Sequence, residues 1–209
     1  MSQEVRSGEA SPSAAAPAMR GAMTRALLDC VRKLRPADRD RVLARAGDGV
    51  MAIDAATPLE WIPMRTHMGL SESLFAVVGV TRGIDVWRDA MLLSLDRPIL
   101  RTFVKMSTNL FGVTPSSILR QTERLYPYLT RGIGSAAFVP GPTSAGGHFL
   151  LKAFPSAQFD FPCYVNGLQG CIEAAFALCK QHSYVRVAER DEGQGTVTYA
   201  LRWQARDAA

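Results

Sequence analysis

The hydrophobic period of this chain changes three times from Gly132 onward, and that order of changes constrains the fold more than any motif. "SAAFVPG" and "GHFLLKAF" are short apolar runs set off by Gly and Pro, which is strand behaviour. "FPCYVNGLQGCIEAAFALCKQ", residues 161–181, returns to helical spacing, with Asp160 just ahead of it and Pro162 in its first turn. "SYVRVAE" and "TVTYALRW" then alternate, and the "RDEGQG" between them, with Gly193 and Gly195, reads as a hairpin loop. The order β-β-α-β-β predicts a mostly antiparallel four-stranded sheet covered on one face by helices, an α+β arrangement.

The N-terminal half keeps a helical period. From Met19, residues Ala22, Ala26, Val31 and Leu34, with Met23, Leu27 and Cys30 beside them, form an apolar stripe. A short helix, "PADRDRVLARAG", follows and stops at Gly47. "DGVMAIDAATPLEW" reads as an extended connection. A helix then runs from Pro63 to Val78 and ends at Gly79, with Met64, Met68, Leu74, Phe75 and Val78 on its buried side. "TRGIDVWRDAMLLSL" is a strong helix that Thr81 could cap. "RPILRTFVKMSTNLFG" is another, starting near Pro98 and stopping at Gly112. "TPSSILRQTERLYPYLTRG" is the last before the period changes, with Thr114 and Pro115 as an N-cap and N1 pair and Pro127 as its end or kink.

At 209 residues, 47% apolar and 21% charged, the chain is long enough for one self-sufficient core. Residues 1–17, rich in Glu, Ser and Pro, read as a disordered tail, 18–204 as a single ligand-binding-like domain and 205–209 as a second tail. With no apolar run fit for a signal peptide or a membrane span, the expected place is the cytoplasm. The net charge of +5 is carried largely by arginines between 20 and 45, but Asp29, Asp38, Asp40 and Asp48 are interspersed with them. A solvated helix face accounts for that pattern better than a nucleic-acid site. Tyr184, Arg186, Tyr199, Arg202 and Trp203 are the one set that mixes aromatic and basic side chains on strands, and cross-strand packing is their expected role.

Three of the four cysteines, Cys163, Cys171 and Cys179, lie eight apart on the 161–181 helix. Each step turns them by about 80° and carries them about 12 Å along the axis. They cannot converge on one ion, and they exceed the Cα separation of roughly 7 Å that a disulfide allows. His67, His148 and His182 show no ligand spacing, so no metal and no cofactor are expected. The glycines carry more information. Gly167, Cys171 and Ala175 fall on one helical row, Gly170, Ala174 and Leu178 on the next. Glycine inside a helix costs roughly 1 kcal/mol against alanine, a cost that a close approach by another element, or a narrow apolar cavity, would offset.

Catalytic motifs are missing from the sequence. "GSAAF", "TSAGG" and "HSY" do not form a nucleophile elbow, and "GPTSAGGH" does not match a phosphate-binding loop. Glu189, Asp191 and Glu192 fall at the hairpin tip as solvated turn residues. The expected function is therefore a non-catalytic regulatory or sensory one, binding a small apolar ligand, a partner protein, or both. An enzyme with an unmarked active site and a haem-based gas sensor are the alternatives. The expected pocket residues are Phe138, Phe149, Leu151, Tyr164, Gly167, Leu168, Cys171 and Phe176.

Three landmarks taken together carry a resemblance: "EWIPM" leading a helix that ends in "FAVVG", then "LFGVTPSSILRQTERLYPYLTRGIGSAAFV", then the 161–204 helix and hairpin with its N-G-x-x-G core. Their order resembles that of a myxobacterial family of about this length. More remotely it is similar to the ligand-binding fold shared by vinyl-reductase-type domains, haem-nitric-oxide-binding domains and TRAPP subunits. The haem-binding branch implies a helical histidine on iron and a Tyr-x-Ser-x-Arg motif on the propionates; here His67 sits on a helix, but no tyrosine begins that motif. The TRAPP branch implies an acyl-carrying cysteine, for which Cys163 or Cys171 stand in a comparable place. The vinyl-reductase branch implies metal-binding cysteines near the C-terminus, whereas no cysteine follows Cys179. The TRAPP-like relatives also pair through helices. A homodimer through the N-terminal half is therefore expected, with Met64, Met68, Trp87, Met91 and Leu95 as its contacts.

Overall fold

The computed structural model describes residues 16–96, 114–143, 145–155 and 160–204. Its larger sheet has the expected content. Strands β4 (Ser135–Pro140), β5 (Gly146–Lys152), β6 (Ser183–Asp191) and β7 (Thr196–Trp203) pair antiparallel in the order β4-β5-β7-β6. Phe138, Phe149 and Tyr199 stand in one cross-strand row, and all three point inward. The alternate positions, His148, Lys152 and Arg202 among them, face out. This one-sided burial is what the period-2 pattern implies. A bulge between Val187 and Glu189 shifts the register of the edge strand β6.

The N-terminal half supplies α1 (Gly21–Arg32), α2 (Pro36–Ala46), α3 (Gly49–Ala55), α4 (Met64–Val78), α5 (Val80–Leu95), α6 (Pro115–Arg120) and α7 (Thr122–Leu129). The 161–178 helix is α8 (Phe161–Leu178). Gly47 and Gly79 end α2 and α4 with φ of +57° and +79°, where a side chain would be strained. Thr114 caps α6 in a reciprocal capping box with Ser117, and Pro115 follows at the first turn. Asp160 caps α8 by accepting from the Cys163 N–H at 3.0 Å.

Several expectations need correction. Residues 48–61, read as a connection, contain the helix α3, held by the buried Ile53. Thr81 is not a cap: α5 starts directly after Gly79, one residue earlier. The helix read through 114–129 is two helices meeting at Gln121, and Pro127 lies inside the second without ending it. The helix expected over 97–112 lies outside the described residues.

The sequence reading missed a second sheet altogether. β1 (Ala18–Arg20) lies between β2 (Trp61–Pro63) and β3 (Thr130–Arg131), antiparallel to both. Its strands are two or three residues long, too short to show a period. It ties the entry of α1, the entry of α4 and the exit of α7 together, and Met64 N–H donates to Pro17 O at 2.9 Å beside it.

Candidate functional site: the α8 face and an apolar cavity

Helix α8 lies between α5 on one side and the four-stranded sheet on the other. On the sheet side, Tyr199 donates its hydroxyl hydrogen to Val165 O at 2.8 Å, and Phe176 meets Trp203 with ring centroids 5.5 Å apart. On the α5 side the two interior glycines find their reason. A Cβ on Gly167 would stand 2.5 Å from Cε2 of Trp87, and one on Gly170 would meet the Ile84 carbonyl oxygen and stand 2.9 Å from Arg88 N. Trp87 lies flat against the Gly167 backbone, so only glycine lets α5 and α8 come this close. The rim of the contact is polar: Arg88 pairs with Asp85 at 3.0 Å and reaches Glu173 at 3.9 Å, and Gln169 donates to Glu173 at 3.0 Å.

Trp87 also meets His67 of α4, edge on, with ring centroids 5.2 Å apart. His67 is fully buried, and its Nδ1 bonds the Thr24 hydroxyl of α1 at 3.0 Å. Burial alone lowers its pKa to about 3, so the ring is neutral at physiological pH. Among the described residues, neither His67 Nε2 nor Trp87 Nε1 has a hydrogen-bond partner. This cluster joins α1, α4, α5 and α8, and it lies outside the cavity described next.

A cavity of about 80 Å³ lies between α5, α6, α7, α8 and β5. Its lining is almost wholly apolar: Met91 and Leu95 from α5, Leu119 and Leu125 from α6 and α7, Phe149 from β5, and Leu168, Ile172 and Ala175 from α8 are among the residues that form it. Thr122, Tyr126 and Cys171 are the lining residues that carry a polar side-chain atom. Tyr126 is tied down: its hydroxyl donates to Ile133 O at 3.2 Å and accepts from the Tyr164 hydroxyl at 2.7 Å. Tyr164 in turn stacks on Phe154 at 4.3 Å. Burial pushes the Tyr126 phenol and the Cys171 thiol up, so both keep their protons. The arrangement can hold an apolar molecule of a few heavy atoms. Among the described residues that line the cavity, none carries a charged side chain.

Of the pocket residues expected from sequence, Phe149, Leu168 and Cys171 line this cavity. Phe138, Leu151 and Phe176 are core residues elsewhere, Gly167 is covered by Trp87, and Tyr164 stands behind Tyr126. Met91 and Leu95, expected at a dimer interface, line the cavity. Met64, Met68 and Trp87 are each 1% exposed, so they have no surface to offer a second copy. Reasoning from sequence missed the α6–α7 wall, although Leu125 and Leu129 stand four apart there, on one helix face. The set Tyr184, Arg186, Tyr199, Arg202 and Trp203 is split by the sheet, with Tyr199 and Trp203 buried inside and the rest exposed outside. No group of three or more potential metal ligands occurs among the described residues, and no described helix is long and apolar enough to cross a membrane.

No family model and no curated protein matches the chain. Solved structures do. An oxygen-binding H-NOX domain related to soluble guanylate cyclases, solved as its oxygen complex, superposes with a TM-score of 0.59 at 16% identity, over 90% of this chain and 96% of that one. A mutant H-NOX domain of T. tengcongensis gives 0.60 at 16%, over 90% and 98%. An H-NOX domain solved to probe the function of haem distortion in that family gives 0.60 at 16%, over 91% and 97%. At this identity the likeness is one of fold: the chain has the α+β architecture of H-NOX domains.

Proposed function

We propose that this chain is a non-catalytic sensory domain and that the cavity between α5, α6, α7 and α8 is its ligand site, taking a small apolar molecule. The observation that carries the reading is an apolar hollow of about 80 Å³ beside α8, in a fold shared with oxygen- and haem-related domains. Protein interiors leave few voids larger than a water molecule, and apolar ones stay dry and accept apolar guests. The protonated state of Tyr126 and Cys171 supports binding over catalysis.

The fold likeness favours a second reading, a haem-based gas sensor. The residues present do not fit a haem. Haem iron is held by histidine, by a cysteine thiolate, by tyrosine, or by methionine paired with histidine. The chain has three histidines. His67 is enclosed against Thr24 and Trp87 away from the cavity, and His148 and His182 are exposed on the sheet and the turn before β6. At the cavity, the Tyr126 hydroxyl is already bonded to Ile133 O and to Tyr164, and Cys171 and Met91 line the wall with no histidine beside them.

Two measurements on the purified full chain test this. Visible absorption after expression with excess haem precursor is expected to lack the intense band of a bound haem; a stoichiometric band would replace the first reading with the second. Native mass spectrometry is expected to find the 22.8 kDa chain carrying a small, non-covalent apolar adduct when such a molecule is supplied. Failure to retain any of a series of small hydrocarbons would remove the cavity as a ligand site. A cytoplasmic homodimer belongs to the same reading, but its interface must use surfaces other than Met64, Met68 and Trp87. Light scattering at tens of micromolar reports it.

A further inference from the structure

Away from the cavity, the small sheet ends in a surface that its own packing does not explain. Arg20, the last residue of β1, lays its guanidinium over the ring of Trp61 at 3.6 Å. Its Nε donates to Tyr128 O at 3.0 Å and its Nη1 to Leu59 O at 2.7 Å. Arg20 is thereby fixed between two residues whose side chains stand in solvent, Leu59 at 61% and Tyr128 at 63% exposed. Arg131 of β3 brings a second guanidinium to the same indole, 5.1 Å from the ring centroid. It is exposed and forms no ion pair with any described residue. The two cations are close enough that Arg131, after desolvation, lowers the pKa of Arg20. Glu60, the acid nearest in sequence, turns away and accepts from the Thr57 N–H.

A structural role accounts for Arg20, which pins β1 to the 57–61 turn and to the end of α7. It does not account for the second cation on Trp61, nor for two large apolar side chains exposed on either side of a fixed arginine. Trp, Tyr and Arg are the residues that dominate binding hot spots, and a surface already held rigid loses little freedom on binding. From this juxtaposition we infer that Leu59, Trp61, Tyr128, Arg20 and Arg131 form a docking surface for an acidic segment of a partner protein. A carboxylate of that segment would bridge the free N–H donors of Arg20 and Arg131, and an adjacent apolar side chain would cover Leu59 and Tyr128. Charge complementarity sets the choice of partner: two guanidiniums on one indole, with no acid between them, call for an anion. A single-stranded nucleic acid would need open ring faces to stack on. Trp61 has Arg20 in van der Waals contact with its ring, so protein is the better match.

The test uses the full chain with its tryptophan indole N–H signals followed by NMR, Trp61 being assigned through Trp61→Phe. The probes are an acetylated Asp-Glu-Leu-Phe-Asp-Glu hexapeptide, the same peptide with lysine at every acidic position, and a dT oligonucleotide. The acidic peptide is expected to shift the Trp61 signal saturably, at least fivefold more weakly at 0.5 M salt than at about 0.05 M, while the Trp87 and Trp203 signals stay in place. Arg131→Glu, at an exposed position whose guanidinium forms no ion pair with any described residue, is expected to weaken binding at least tenfold while the chain stays folded. Tyr128→Ala is a second variant of the same kind. The inference is overturned if the acidic peptide leaves Trp61 unmoved, if the lysine peptide or dT binds as well or better, or if both variants bind like the parent.

Discussion

His67 shows how one buried polar side chain can set a property of the entire chain. Its neutral ring fills a space between Thr24 and Trp87, and burial holds its pKa at about 3 against 6.5 when exposed. Below pH 6.5 the unfolded chain takes up a proton there that the folded chain refuses until about pH 3. Protons therefore favour unfolding across that window. The contribution of His67 is intact at pH 7 and falls as pH drops, by up to about 1.4 kcal/mol per pH unit. Urea unfolding at pH 7 and pH 4.5 measures the loss. Carboxylates add their own slopes, so the comparison is with His67→Phe, in which the loss is expected to shrink by about 2 kcal/mol or more. Equal slopes in the two proteins would mean that the ring can reach water.

At the scale of elements, the α5–α8 contact is the most demanding in the described chain. Gly167 and Gly170 were legible in the sequence as a mark of close approach, because glycine weakens a helix unless something needs the missing side chain. What approaches them was not legible. Trp87 is eighty residues away in sequence, and nothing in "TRGIDVWRDAMLLSL" marks its indole as the partner. Gly167→Leu drives a side chain into that ring and is expected to lower stability by about 3 kcal/mol or more, above the usual range for overpacking because the ring is itself enclosed. Gln194→Ala, at the exposed β6–β7 turn, is the control and is expected to stay within about 0.5 kcal/mol. Chemical denaturation compares the two; similar midpoints would mean that α5 can move off α8 at little cost.

For the whole molecule, the question is whether the hollow beside α8 is real space. Ala174 and Ala175 are neighbours on that helix and both are buried, but only Ala175 lines the cavity. Ala175→Leu is therefore expected to change stability by less than about 1.5 kcal/mol, since the added carbons enter empty volume. Ala174→Leu, with no such volume, is expected to cost about 1–3 kcal/mol. Unfolding curves of the two variants decide it. If both cost the same, the cavity closes in solution and the ligand reading loses its basis; if they differ as stated, Ala175→Leu should also have lost the retained apolar adduct.

The amino-acid sequence by itself determined the fold class, the four strands of the main sheet, most helix ends and the close-packed character of α8. These follow from local physics: the period of apolar residues, proline in a first turn, glycine where φ is positive. Two things were decided only by tertiary structure. The small sheet β2-β1-β3 joins residues 18, 62 and 130 through strands too short to carry a period, and with it came the Arg20–Trp61–Arg131 surface. The cavity is the other. Three of its lining residues, Phe149, Leu168 and Cys171, were among those expected from sequence, but a hollow is a failure of several helices to fill a common space. Helical spacing names the face that each helix buries and leaves open how far apart the buried faces come to rest. For the same reason Met64, Met68 and Trp87 read as candidates for a dimer interface: an apolar helix face looks alike whether another helix of the same chain or a second copy covers it, and here the chain covers its own.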